Sequence, residues 1–142
     1  MKLPILLLII SLCFSARAFT KTLEEKDLVG VWYPSKAGQQ VKGATRYKLV
    51  VEKNMKATYT EFGKAQGSPN VMECSYKPSN NQSTVFIFYC LHDDTHLITL
   101  SLAGWSISSG YKQLFGFEYW LTFPSPGNIY NGIPVTLSSD GT

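Results

Sequence analysis

Residues 96–123, HLITLSLAGWSISSGYKQLFGFEYWLTF, hold two runs of alternating side chains separated by a glycine-containing turn. Side chains alternate sides along a strand, so each run has one clearly apolar face. In the first run Ile98, Leu100 and Leu102 point one way, against Thr99 and Ser101. In the second, Phe115, Phe117, Tyr119, Leu121 and Phe123 share a face, against Leu114, Gly116, Glu118, Trp120 and Thr122. Ser109-Gly110 suits a two-residue hairpin loop, because Gly accepts the positive φ that such turns require. That loop sets Leu102 opposite Phe117, Leu100 opposite Tyr119 and Ile98 opposite Leu121, with both apolar faces on one side of the ribbon. An aromatic wall of this size has to be buried. The pattern therefore predicts Phe115, Phe117 and Tyr119 inside a β domain, and Glu118 and Trp120 outside it.

The same period continues upstream. Strands are expected over 28–33, 47–51, 57–62, 71–76 and 85–91, separated by clusters of Gly, Pro, Asn and Lys. Residues 21–27 can form a single helical turn, and 129–135 a last strand in which Pro134 restricts pairing. Pro124-Ser125-Pro126-Gly127 breaks the sheet, and 138–142 reads as a tail. About eight short strands with short connections point to an all-β fold, a single antiparallel up-and-down barrel or meander. Met72, Cys74 and Tyr76 share a face, as do Phe86, Phe88 and Cys90. A turn over 80–84 brings Cys74 opposite Cys90 as one disulfide.

Residues 1–18 read as a secretory signal peptide. Lys2 is the basic start, Leu3–Leu12 the apolar run and Ala16-Arg17-Ala18 the small-residue cleavage site. Cys13 does not suit lipidation, because Leu12 before it is not small. Residues 19–142 are then one β-barrel-like domain, secreted or periplasmic, with no transmembrane segment. Of 13 basic residues, Lys2 and Arg17 fall in the leader, leaving 11 against 10 acidic ones, about +1. A balance this even carries no electrostatic footprint for nucleic acid or an anionic membrane. Asn81-Gln82-Ser83 forms a glycosylation sequon on a turn, relevant only in a eukaryotic secretory pathway.

Leu28-Val29-Gly30-Val31-Trp32, after a polar helical turn and at the start of the first strand, resembles the G-x-W opening of lipocalins and related calycin barrels. The resemblance implies a barrel whose Trp closes one end and whose cup holds a small apolar ligand. The later arginine that packs across this Trp in that family has no counterpart here, where Arg46 lies in an early strand.

Chemistry has few places to reside. His92-Asp93-Asp94-Thr95-His96 holds both histidines of the chain. With Asp93-Asp94-Thr95 as the loop, His92 and His96 sit directly opposite each other, close enough to share a metal ion, with zinc or copper suiting imidazole. The alternative is a solvated turn. No G-x-S-x-G elbow, convergent acid pair or phosphate-cradling Gly loop is present, so the expectation is a protein that is not an enzyme and uses no cofactor. Two readings remain. In the first, a lipocalin-like cup lined by Trp32, Phe115, Phe117 and Tyr119 holds a small apolar molecule. In the second, the interior is packed solid and the chain is a protein-binding module, such as an enzyme inhibitor or immunity protein, with outward Glu118 and Trp120 at the interface.

Overall fold

The computed structural model describes residues 21–35, 46–62, 68–80, 84–106, 110–122 and 132–139. The leader, the sequon, Ser109 and the 124–127 break lie outside them. The elements are β1 (Lys21–Thr22), α1 (Glu25–Leu28), β2 (Gly30–Pro34), β3 (Arg46–Val51), β4 (Lys56–Phe62), β5 (Asn70–Pro78), β6 (Val85–Asp93), β7 (His96–Ser106), β8 (Lys112–Thr122) and β9 (Ile133–Ser138). Strands β2 to β9 follow one another antiparallel around the sheet, and β2 pairs with β9 to close it. The result is an eight-stranded up-and-down barrel, an architecture consistent with a calycin-like fold. β1 extends the wall beside the end of β7, where Lys21 pairs with Ser106 and Thr22 with Trp105. β9 runs later in the sequence than the expected 129–135. Pro134 falls near its start, and Ser138 pairs with Tyr33 instead of lying in a tail.

Alternation fills the lumen. Trp32, Leu49, Tyr59, Met72, Phe88, Ile98, Leu100, Leu114 and Leu137 come from successive strands and are all buried. Each fully buried large apolar side chain contributes roughly 2 kcal/mol. One end is closed by α1. Leu28 is buried there, and the Trp32 indole donates to its carbonyl oxygen at 2.7 Å. Asp27 Oδ2 accepts from the Glu24 amide at 3.1 Å, supplying a partner to a donor that the start of a helix leaves open. Lys112 Nζ, on β8, donates to the Asp27 carbonyl oxygen at 3.2 Å. Cations are favoured at the carbonyl end of a helical turn.

The β5–β6 hairpin pairs Cys74 with Cys90, and the two are joined in a disulfide whose Cα atoms lie 4.1 Å apart. The β7–β8 hairpin differs from expectation by one residue. Its last pair is Ser106 with Lys112, so five residues connect the strands in place of two. Leu102 faces Gly116, Leu100 faces Glu118 and Ile98 faces Trp120. A one-residue slip moves every side chain of β8 to the other side of the wall. Phe115 and Phe117 therefore lie outside, 45% and 44% exposed, whereas Glu118 is buried at 1%. Tyr119 shares the outward side and is half-buried. Two features favour this register. A Cβ at Gly116 would collide with the Ser101 carbonyl oxygen, so the backbones approach closely where only Gly fits. Gly116 stands across from Leu102, which pairs in turn with Phe86, so a residue without a side chain lies beside two large buried ones.

Reducing the Cys74–Cys90 bond, which closes a 16-residue separation, is expected to lower stability by about 3 kcal/mol in the chain-entropy model. Denaturant unfolding of the Cys74→Ser/Cys90→Ser variant measures it, and an unchanged midpoint would contradict it.

Candidate functional site

Glu118, inward on β8, gathers polar side chains from β4 and from its own strand. Tyr59 on β4 donates its hydroxyl to Glu118 Oε2 at 2.8 Å, and the Trp120 indole donates to Glu118 Oε1 at 2.9 Å. Tyr59 and Glu118 are buried; Trp120 is half-buried and packs against the core. Each carboxylate oxygen thus has a donor. Two such hydrogen bonds are what make burial of a carboxylate tolerable among apolar side chains. Burial holds the Tyr59 hydroxyl well above its ordinary pKa, and the Glu118 charge adds to the effect. Burial pushes the Tyr47 hydroxyl up to about 12, opposed by a hydrogen bond with the Thr136 backbone and reinforced by Glu118.

Trp120 leads from Glu118 to the far end of the barrel, away from α1. Its ring centroid lies 5.1 Å from that of His92 and 6.4 Å from that of His96. The pairing of the histidines departs from the expected one. Leu91 faces Leu97, but Asp93 faces His96, with a β-bulge at His92 and only Asp94-Thr95 in the turn. In a bulge two residues oppose one, so His92 and Asp93 share His96 as their counterpart. The two imidazole centroids stand 5.9 Å apart. Asp93 accepts at both oxygens. Thr95 N and Thr95 Oγ1 each donate to Oδ1 at 2.7 Å, His92 Nδ1 lies 3.0 Å from Oδ2, and His96 Nδ1 lies 2.9 Å from either oxygen. Those hydrogen bonds, from Thr95 first and then the histidines, hold the Asp93 carboxyl far below the usual carboxylate range.

The expected cup residues divide. Trp32 is in the lumen, at the α1 end. Phe115, Phe117 and Tyr119 form an outer row instead, with the Trp105 ring 5.0 Å from Phe115 and the Phe117 and Tyr119 rings 6.4 Å apart. Glu118 and Trp120, expected on the outside, are the inward pair. The tyrosines that complete the interior network, Tyr47 and Tyr59, were not singled out by the sequence; the signal for them is that each shares a strand face with Leu49 or Ala57. Among the described residues, clefts of about 670 and 620 Å³ lie beside α1 and on the wall of β4 to β7, and none of Trp32, Tyr47, Tyr59 or Phe88 lines either. No protein-family model, curated protein or solved structure matches this chain.

The raised tyrosines set an alkaline limit. Below pH 10 the hydroxyls are protonated in both folded and unfolded chains, so they add no pH dependence. Above it the unfolded chain loses their protons first, and stability falls as pH rises toward the folded value of about 12 for Tyr47. Chemical denaturation across this interval should show the midpoint falling, and phenolate absorbance from these two residues should appear together with unfolding. Ionisation of every tyrosine near pH 10 with the fold intact would contradict the burial argument.

Proposed function

We infer that this chain is a non-catalytic, exported protein-binding barrel that docks through the outer wall of β6 to β8. The observation that carries this reading is the exposure of Phe115 and Phe117 midway along β8, on that wall. The outward residues there are the odd-numbered ones from 85 to 91, 97 to 105 and 113 to 121, and none is charged. The wall of β4 and β5, by contrast, presents Lys56, Glu73 and Lys77. Large aromatics at the centre of an uncharged patch are the usual anchors of protein interfaces. Covering what remains exposed of the two Phe rings would release roughly 4 kcal/mol. Association alone costs at least about 4 kcal/mol, so these rings need the rest of the face, Trp105 and Tyr119 included, to hold a partner. The Cys74–Cys90 bond supports an oxidising compartment, and no helix among the described residues is long and apolar enough to cross a membrane.

The test is capture from the extracellular or envelope fraction of the producing organism, comparing wild type with Phe115→Ser/Phe117→Ser. The wild type should retain a stoichiometric protein that the variant loses at least tenfold, with thermal unfolding of the two alike. Equal retention by both, or no partner for either, contradicts the reading.

A second reading, a lipocalin-like cup for a small apolar molecule, draws support from Glu118 with its Tyr59 and Trp120 donors. Pockets of that kind are apolar with a few fixed polar groups. It expects Trp fluorescence to respond saturably to lipophilic probes, with Glu118→Gln altering the response. No saturable response removes it.

A further inference from the structure

We propose that His92, Asp93 and His96 form a binding site for a divalent transition-metal cation of the zinc class at the far end of the barrel. The site does not depend on how the outer wall is used. Each of the three residues offers one ligand atom, and these atoms all lie within 4.8 Å of one another. Nδ1 of both rings turns to the same carboxylate, at 3.0 Å for His92 and 2.9 Å for His96. Ligand atoms around a tetrahedral zinc, with bonds of about 2.0 Å, stand about 3.3 Å apart. The two histidine–carboxylate separations are within a few tenths of an ångström of that spacing, and the two imidazole donors lie within the 4.8 Å that spans all three ligand atoms. In the bound form each ring would carry its proton on Nε2 and offer the Nδ1 lone pair, while Asp93 supplies charge.

The local fold holds this arrangement. The bulge gives His92 and Asp93 the same counterpart, His96, where regular pairing would spend one partner on each. The amide and hydroxyl of Thr95 both donate to Asp93 Oδ1, fixing the carboxylate as outer partners fix metal ligands elsewhere. Trp120 backs His92 on the lumen side at 5.1 Å. Three protein ligands leave a coordination position open to water or to a donor group from outside. Imidazole with one carboxylate suits zinc and copper better than magnesium or calcium, which take all-oxygen shells.

The chain has two histidines, so untagged protein carries no other imidazole. The folded chain, freed of metal with a chelator, is titrated with Zn²⁺ by calorimetry while the two histidine C2–H resonances are followed by NMR. The proposal expects uptake of one ion per chain, with both resonances shifting and saturating together. His96→Ala and Asp93→Asn should each weaken binding by about tenfold or more. Circular dichroism checks that the variants stay folded, and His92→Ala serves as a third variant if either does not. Absence of saturable uptake, uptake that leaves the histidine resonances in place, or equal affinity in the folded variants would each overturn it.

Discussion

The pairing of β7 with β8, from His96 with Thr122 to Ser106 with Lys112, determines which side chains enter the barrel and which remain outside. β7 is unambiguous, since its inward residues are Ile98, Leu100 and Leu102. β8 is not, because both of its faces could be buried: one carries three aromatics, the other Leu114, Gly116, Glu118 and Trp120. The close approach of Gly116 to the Ser101 carbonyl fixes the choice, since no other residue fits there without moving backbone. One register step then accounts for the two unusual features of the molecule, a buried carboxylate inside and half-exposed phenylalanines outside.

Inside, the cost of burying Glu118 is offset by two hydrogen bonds, each worth about 1.5–3 kcal/mol when the acceptor is charged. This gain stands against a desolvation penalty of several kcal/mol, so the Glu118 group is close to neutral for stability. An apolar residue at this position alone would take the acceptor away from the buried Tyr59 hydroxyl and the Trp120 indole, so the three side chains act as one unit. Through Trp120 it reaches the imidazoles at the far end, so the interior and the rim are in physical contact through one indole.

Much of the fold could be read from residue types alone. The Cys74–Cys90 bridge and the β5–β6 hairpin followed from matching faces, because a disulfide and an apolar face agree on one register. The barrel count followed from short alternating runs. β8 could not be read in this way, because aromatic content is a poor guide to burial where the opposite face, with Leu114, Gly116 and Trp120, is also able to turn inward. The odd length of the connection, which decides parity, left no mark beyond a Ser-Gly pair that also suits a shorter turn. The rim was half legible. Two histidines near a turn were visible in the sequence, but the bulge that substitutes Asp93 for His92 opposite His96 depends on a two-residue turn over Asp94-Thr95. Tyr59 as a hydrogen-bond partner of Glu118 was not legible, since β4 and β8 meet across the lumen only when the sheet closes.

The register of β8 is measured most directly by cross-strand backbone NOEs in solution. This register places Leu100 against Glu118 and Leu102 against Gly116, and NOEs within both pairs are expected. Contacts linking Leu100 to Tyr119 and Leu102 to Phe117 would contradict it, turning the aromatic row inward and Glu118 out.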